Sequence, residues 1–273
     1  MYLTPAETHR RRRRRWARLA IVLLLASGVA ATLYAFFLEP RWIEVTHYSL
    51  SENVLRPLRI AHLTDLHAHE FGPREREVLR LIRAESPDMV VLTGDTADPG
   101  SLASARDFLV NLSAPLGVWI VRGSGEPWKL GEDERALYGA LGAHFLRNQG
   151  ASVREDVWVA GLDDPASGKP DLDRALAGAP SDAFKLVLLH APDYFHEIAG
   201  RFDLALAGHS HGGQIWLPGF GPLWLPPGGR RYVRGWFTLN RSQLFVSRGL
   251  GTSVAPARFL ARPELAIIDV RPR

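Results

Sequence analysis

Four short apolar segments of this sequence end abruptly in aspartate or histidine, and this recurrence constrains the fold more than any other feature. The segments and the residues that follow them are 58–63 with Asp65 and His67, 89–93 with Asp95 and Asp98, 184–189 with His190, and 204–207 with His209 and His211. Apolar runs of this length are typical of buried β-strands. Because the ends of parallel strands meet at one edge of a sheet, the pattern predicts a single polar site there.

Between these segments the sequence alternates strand and helix patterns, and its last third contains strand patterns alone. Helices are predicted at 73–84, 103–112, 132–141 and 172–177, and further strands at 42–49, 117–121, 157–160, 236–239, 244–247 and 265–270. In the first of these helices, Val78, Leu79, Leu81 and Ile82 share one face. Alternation followed by consecutive strands is typical of a layered α/β domain with a mixed or two-sheet core.

Residues 19–38 contain no charge, and an apolar segment of this length is long enough to cross a bilayer core as a helix. The arginine run Arg10–Arg15 precedes it and predicts that the N-terminus stays in the cytoplasm. The sequence therefore predicts an Arg-rich cytoplasmic tail (1–18), a transmembrane anchor (19–38) and a domain over 41–273. A cleaved signal peptide and a twin-arginine export signal at Arg14-Arg15-Trp16 stay open as alternatives.

The excess of positive charge lies in the N-terminal tail. The formal net charge is +4, but seven arginines and one glutamate in residues 1–38 account for +6, which leaves −2 for the remainder. A mildly acidic domain repels polyanions, so no nucleic-acid partner is expected and a function on nucleic acids is the least favoured. The chain has no cysteine, which excludes disulfides and restricts any metal site to nitrogen and oxygen ligands.

The aspartates and histidines at the strand ends are suitable ligands for metal ions. Carboxylates and neutral imidazoles together favour Mn, Fe, Zn or Co over calcium, which prefers oxygen ligands alone. Two such ions about 3.5–4 Å apart, bridged by one carboxylate, clamp a phosphoryl group and activate water. The sequence GHSHGG over 208–213 supports this interpretation, because alternate histidines cannot point to one side of a regular strand and therefore require an irregular loop.

The order of these motifs resembles the calcineurin-like metallophosphoesterase family. The motifs are Asp65-Leu66-His67, Gly94-Asp95-x-x-Asp98, His190 and Gly208-His209-Ser210-His211, and the resemblance covers residues 41–273. Further similarity to the bacterial membrane-anchored branch, with its UDP-2,3-diacylglucosamine pyrophosphatase-like enzymes, lies in Asp163-Asp164-Pro165, His190-Ala191-Pro192, Gly212-Gly213-Gln214 and SRGLG over 247–251. The resemblance implies a four-layer α/β fold, in which two β-sheets pack as a sandwich flanked by helices.

The resemblance also implies a role for each residue of the site, with two divalent ions (Mn, Fe, Zn or Mg) as cofactors. The first ion would be held by Asp65, His67 and His211, both ions would be bridged by Asp95, and the second would be held by His190, His209 and the residue at position 124. Asp98 would orient a ligand or the catalytic water. Gly212 and Gly213 would let the backbone approach substrate, or form an ordinary turn. Arg248 would contact a substrate phosphate, or form a surface ion pair.

The strand that follows the Asp95 motif departs from the family pattern. The family has Gly-Asn-His and then an acidic residue, where the Asn is a ligand of the second ion and the His protonates the leaving group. Here the residues are Gly123, Ser124, Gly125 and Glu126. The Ser124 hydroxyl is a poorer metal ligand than an amide oxygen, and Gly125 has no side chain to donate a proton. His69 and Glu126 are candidates to replace that acid.

These observations predict a membrane-anchored, metal-dependent phosphoesterase. Loss of a general acid costs about 10²–10⁴-fold in rate, and less where the leaving group is already a weak base. Phosphoanhydrides and activated diesters are therefore expected substrates in preference to alkyl monoesters. The alternative function is a catalytically weakened protein that binds a phosphorylated ligand at the membrane.

The anchor suits a phosphorylated lipid, and the resemblance implies a role in lipid A biosynthesis. The arginine run, however, places the domain on the periplasmic side of the bacterial inner membrane, away from UDP-linked precursors. Another phosphorylated lipid or envelope phosphoester fits this topology better. The chain is expected to be a monomer.

Overall fold

The computed structural model describes residues 5–98, 102–125 and 134–273. The α-helices are α1 (Pro5–Leu33), α2 (Pro73–Glu85), α3 (Leu102–Leu109), α4 (Glu134–Ala140), α5 (Leu172–Leu176) and α6 (Phe195–Ile198). The strands are β1 (Glu44–Glu52), β2 (Leu58–Leu63), β3 (Met89–Thr93), β4 (Val118–Val121), β5 (His144–Leu146), β6 (Gln149–Arg154), β7 (Val157–Gly161), β8 (Phe184–Leu188), β9 (Leu204–Ala207), β10 (Trp216–Leu217), β11 (Gly221–Pro222), β12 (Gly235–Leu239), β13 (Ser242–Val246) and β14 (Glu264–Pro272).

Two six-stranded mixed sheets form the centre of the domain. The first has the order β1-β14-β2-β3-β4-β5, and β2, β3, β4 and β5 run parallel. The second has the order β12-β13-β9-β8-β7-β6, and β13, β9, β8 and β7 run parallel. The strands that precede the predicted ligands, β2, β3, β8 and β9, are therefore all central strands with neighbours on both sides.

Apolar side chains fill three interfaces between four layers. Val91 of the first sheet and Leu186 of the second lie in the core between the sheets. Val78 and Phe108 of α2 and α3 pack on the outer face of the first sheet. Phe195 of α6 packs on the outer face of the second sheet. The predicted four-layer α/β sandwich is confirmed.

The sequence pattern missed four strands, among them the two-residue strands β10 and β11, and misplaced the start of another. Strand β5 has only three residues, and β6 contains glycine, serine and arginine, so neither shows an apolar run. The strand predicted at 42–49 begins at Glu44, because Glu39–Arg41 forms a 3₁₀ turn that contains Pro40. Proline favours the start of such a turn and cannot donate a hydrogen bond to a sheet.

The N-terminal helix is long and apolar enough, over Arg12–Arg41, to cross a membrane. A membrane span and a signal sequence share this property. Helix α1 continues into a π-helical turn, Tyr34–Leu38, before the 3₁₀ turn and β1. Most of its apolar side chains are exposed, as in a helix that is not part of a protein core.

The end of this helical segment is joined to the domain by hydrogen bonds. The buried carboxylate of Glu39 accepts hydrogen bonds from the backbone N–H groups of Leu260 (2.9 Å) and Ala261 (2.6 Å). The backbone N–H of Arg258 donates to the carbonyl of Ala35 at 2.9 Å. Residues 35–39 are therefore part of the folded domain as well as the end of the helical segment.

Candidate metal centre

Six of the predicted metal ligands lie in the loops that follow β2, β3, β8 and β9. They are Asp65, His67, Asp95, His190, His209 and His211, and all six are buried. All except His190 have positive backbone φ angles, between 44° and 68°. Residues other than glycine rarely adopt such angles, and strained backbone of this kind is concentrated at functional sites. The irregular loop predicted for the GHSHGG segment is confirmed, because it contains a 3₁₀ turn at His211–Gly213.

The first cluster consists of Asp65, His67 and His211. The Nε2 atoms of the two histidines are 3.3 Å apart, and the Nε2 of His211 is 3.6 Å from Oδ1 of Asp65. The backbone N–H of His209 donates to Oδ2 of Asp65 at 2.8 Å and so fixes the orientation of this carboxylate. Two imidazole nitrogens and one carboxylate oxygen thus face a common point.

The second cluster consists of Asp95, His190 and His209. The Nε2 of His190 is 3.3 Å from Oδ2 of Asp95 and 3.0 Å from Nδ1 of His209. The hydroxyl of Ser124 lies 3.5 Å from that Nε2 and 3.4 Å from that Nδ1. The serine at the family's asparagine position therefore faces this cluster.

Asp95 lies between the two clusters. Its Oδ2 is 3.3 Å from Nε2 of His190 and 3.7 Å from Nε2 of His67. Its Oδ1 accepts a hydrogen bond of 2.8 Å from the backbone N–H of Gly125. In each cluster the possible ligand atoms lie within 4.8 Å of one another. Buried imidazole nitrogens and carboxylate oxygens in this arrangement fit two divalent ions.

Hydrogen bonds to the second ring nitrogen fix the orientation of three histidines. Nδ1 of His67 is 2.6 Å from Oδ1 of Asp98, Nδ1 of His190 is 2.7 Å from the carbonyl of Thr93, and Nε2 of His209 is 2.9 Å from the carbonyl of Pro227. Each partner accepts the ring proton and leaves the other nitrogen directed at the cluster. The two carbonyls were missed by sequence reasoning, because a backbone acceptor has no sequence signature.

Burial and neighbouring charge set the protonation of the rings. Burial lowers the pKa of His211 to about 3, and burial and the nearby His190 lower the pKa of His209, so both rings are neutral at pH 7. Burial opposes protonation of His190 too, but the Asp95 carboxylate raises its pKa to about 10. Burial opposes ionisation of Asp95, yet His190 and His67 hold its pKa well below the usual range. Asp95 therefore attracts positive charge to this point between the clusters.

The loop that departs from the family pattern is shaped by its glycines. A Cβ on Gly123 would overlap Oδ1 of Asp95, so a larger residue does not fit there. A Cβ on Gly125 would lie 3.5 Å from both carboxylate oxygens of Asp95, which is an ordinary contact. Position 125 therefore has room for a side chain beside the site. Glu126 lies outside the described residues, and its role as a replacement acid stays a prediction.

His69, the other candidate acid, lies at the rim of the first cluster. Its Nε2 is 2.8 Å from Oδ2 of Asp98, whose other oxygen holds His67. The His69 side chain is 71% exposed, so it is accessible to a substrate that approaches from solvent. This placement keeps His69 as a candidate and assigns Asp98 to the orientation of His67.

The structure places the predicted substrate-binding residues in packing contacts. Arg248 forms ion pairs with Glu44 (2.9 Å) and Glu264 (3.2 Å), which is the ion-pair alternative raised by the sequence. A Cβ on Gly212 would lie 2.5 Å from Cγ of Arg248, and a Cβ on Gly213 would lie 2.6 Å from Cβ of Pro222. Both glycines thus let neighbouring loops pack closely, and contacts of these three residues with substrate stay predictions.

Comparison with known proteins identifies the family of this fold and site. Residues 58–213 match the calcineurin-like phosphoesterase family. The chain is 30% identical over 254 residues to the uncharacterized metallophosphoesterase YkuE of Bacillus subtilis (strain 168), and the alignment covers 87% of this chain and 89% of YkuE. It is 26% identical over 281 residues to phosphodiesterase YaeI of Escherichia coli (strain K12), over 95% of this chain and 98% of YaeI.

The solved structure of TT1561 from Thermus thermophilus is also similar, with a TM-score of 0.46, 13% identity, and coverage of 71% of this chain and 90% of that one. The family match spans more than half of the chain, and YkuE aligns along most of its length. The chain therefore belongs to the calcineurin-like phosphoesterase family, whose metallophosphoesterases use divalent metal ions.

Proposed function

We propose that this protein hydrolyses a phosphodiester or phosphoanhydride bond at the two clusters, with Asp95 as the shared ligand. The observation that carries the proposal is the position of Oδ2 of Asp95, which faces one ring nitrogen from each cluster, in His67 and His190. Asp65, His67 and His211 would hold one ion, and Asp95, His190 and His209 the other. Divalent ions there would supply the Lewis acidity that polarises the phosphoryl group and activates water.

The residues around the clusters determine which leaving groups are accepted. Gly125 stands where the family has its proton donor, so no side chain at that position can protonate a departing alkoxide. His69 is exposed and is held by Asp98, and it is the described residue best placed to take over this role. Without an effective acid, substrates whose leaving group is already a weak base should react fastest.

We also propose that residues 19–38 anchor the protein in the bacterial inner membrane, with the domain in the periplasm. The length and apolar surface of the helix over Arg12–Arg41 support a span, and the arginine run Arg10–Arg15 supports this orientation. The buried Glu39 favours an intact helix end over a cleaved one. A phosphorylated lipid of the envelope fits this location, whereas a UDP-linked lipid A precursor does not. We expect a monomer with no nucleic-acid partner.

Restoring the family residues by the double substitution Ser124→Asn/Gly125→His should raise the hydrolysis of alkyl phosphodiesters by about 10²–10⁴-fold, the usual contribution of a general acid. Position 125 has room for the new Cβ, and position 124 already faces His190 and His209. The gain should be much smaller for bis-p-nitrophenyl phosphate, whose leaving group needs no proton. The measurement is kcat/KM for both substrates with Mn²⁺, together with bound metal per chain.

Gly139→His is a suitable control, because a Cβ on Gly139 has no neighbour within 4 Å and the added imidazole lies in α4. It should leave both rates unchanged. In another outcome, the wild-type protein binds no metal and hydrolyses neither substrate, while the double variant does both. That result would support the alternative function, a catalytically weakened protein that binds a phosphorylated ligand. An equal gain on both substrates would argue against a missing acid as the limitation.

A further inference from the structure

A narrow cavity of about 90 Å³ opens beside the metal centre. Its lining includes His211, a candidate ligand of the first cluster, and Ser210. The lining is mostly apolar, with Ile215, Leu223, Trp224, Val254 and Ala255, and Gln214 and Ser253 add polar groups to it. These residues define what we call the apolar groove. It is smaller than the roughly 300–1,000 Å³ of an ordinary small-molecule pocket, so it can hold only part of a ligand.

The two walls of the groove are fixed to each other through Gln214. Its side-chain amide donates to the carbonyls of Ser253 (2.8 Å) and Ala255 (2.9 Å), and its Oε1 accepts from the backbone N–H of Ser253 at 2.9 Å. These bonds hold the 253–255 turn against the segment that enters β10. The groove is therefore built into the fold and does not depend on loose side chains.

Val254 at the mouth of the groove is in an unfavourable conformation. Its φ is 63°, which is exceptional for a β-branched residue, and the residue is 91% exposed. Strain of this kind persists only where the surrounding structure holds it in place, and it is concentrated at functional sites. Other large apolar side chains nearby are exposed as well: Phe220 (90%), Leu223 (62%), Trp224 (54%) and Leu260 (48%). Exposed apolar groups in one region are typical of a surface that contacts an apolar partner.

The apolar surface is continuous with the end of the N-terminal helix. Ile215 pairs with Phe259, and the ring of Phe259 packs edge-on against Tyr34 of the helical segment at 6.2 Å between ring centroids. The next residue, Leu260, donates its N–H to Glu39. If the helix crosses a bilayer, the mouth of the groove therefore lies next to the membrane surface.

We propose that the apolar groove receives an acyl chain of a phosphorylated membrane lipid and so places its phosphoester at the two clusters. This inference rests on the proposed function and names its substrate class. The lining is mostly apolar and suits a hydrocarbon chain better than a sugar or a base, and His211 belongs both to this lining and to the first cluster. A chain that enters from the bilayer side would lie against the apolar side chains, with its phosphoester near His211.

Chain length of the substrate tests this proposal. The full-length protein, with Mn²⁺ in a sterol-based detergent that has no linear alkyl chain, is assayed on methyl, butyl and dodecyl p-nitrophenyl phosphodiesters. We expect kcat/KM to rise by about fourfold for each methylene group that the groove buries. Val254→Asn and Leu223→Asn should reduce this preference. Asparagine tolerates a positive φ, so the first variant should fold normally. Val110→Asn, at a 54% exposed valine after α3, should keep the wild-type preference.

A second measurement does not depend on turnover. A dodecylphosphonate with a diazirine near the end of its chain should label peptides that contain 214–224 or 253–255, and unlabelled dodecylphosphonate should compete, whereas methylphosphonate should not. Labelling elsewhere, or equal competition by methylphosphonate, would contradict the proposal that the apolar groove receives an acyl chain. Turnover of all three diesters without chain preference would also overturn it and leave the proposed function intact. No turnover of any diester would contradict the proposed function. The labelling pattern would still show whether the apolar groove binds an alkyl chain.

Discussion

Replacing Asp95 with asparagine should reduce hydrolysis of bis-p-nitrophenyl phosphate by more than about 100-fold. Loss of a residue that only hydrogen-bonds to a metal ligand costs up to about 100-fold in activity, and loss of a shared ligand should cost more. Asparagine has the same shape and can still accept the hydrogen bond from Gly125. It removes the negative charge between His67 and His190, where both clusters need it. The measurement is kcat/KM together with bound metal per chain.

Asp269→Asn is the matched control for this prediction. Asp269 is also a paired carboxylate, bonded to Arg59 at 2.7 Å, but it lies in β14 away from the site. The control should keep its metal and its activity. If Asp95→Asn kept two ions per chain and most of its activity, Asp95 would not be the shared ligand and the proposed site would be wrong.

The sequence predicted the residues that the structure brings together in the two clusters, because their side chains carry the signal. Asp95 and His190 each follow a short apolar run, and this position alone indicates the edge of a sheet. The acceptors that orient the rings could not be found in the same way, because the carbonyls of Thr93 and Pro227 belong to the backbone of any residue. Nor could the positive φ of Asp65, which depends on long-range packing.

The fold shows the same division between local and long-range information. Strands such as β3 and β9 are continuous apolar runs, since parallel strands are buried on both faces. Strand β6 is polar and was missed, because only its pairing with β7 makes it a strand. The junction between residues 35–39 and 258–261 joins segments more than 200 residues apart in sequence, and no local pattern predicts it.

Arg258 is the residue through which this junction reaches the metal centre. Its backbone N–H bonds to Ala35, and its fully buried guanidinium donates to the carbonyls of Gly251 (2.9 Å), Ala261 (2.7 Å) and Arg248 (2.9 Å). Gly251 in turn donates its N–H to the carbonyl of Asp65 at 2.6 Å. One side chain thus connects the end of the helix to the loop that carries Asp65 of the first cluster.

Arg258→Met should therefore destabilise the protein by about 3 kcal/mol or more, because several buried carbonyls lose their donor at roughly 1–3 kcal/mol for each unsatisfied group. The melting temperature should fall by about 6–12 °C, given about 2–4 °C for each kcal/mol in a domain of this size. Burial lowers the pKa of Arg258 to about 9, so the guanidinium is charged at pH 7 and the lost bonds are charge-assisted. The measurement is thermal unfolding followed by circular dichroism.

Arg258→Lys separates the effect on the site from the effect on the fold. A lysine keeps a hydrogen-bond donor but cannot reproduce the planar fork of donors, so it should preserve part of the stability while the 248–251 loop loses part of its support. Because Gly251 holds the backbone of Asp65, the affinity of the first cluster for Mn²⁺ should fall. Arg80→Lys, at a 63% exposed arginine of α2, should change neither property. Unchanged metal affinity in Arg258→Lys would show that Arg258 stabilises the fold without positioning Asp65.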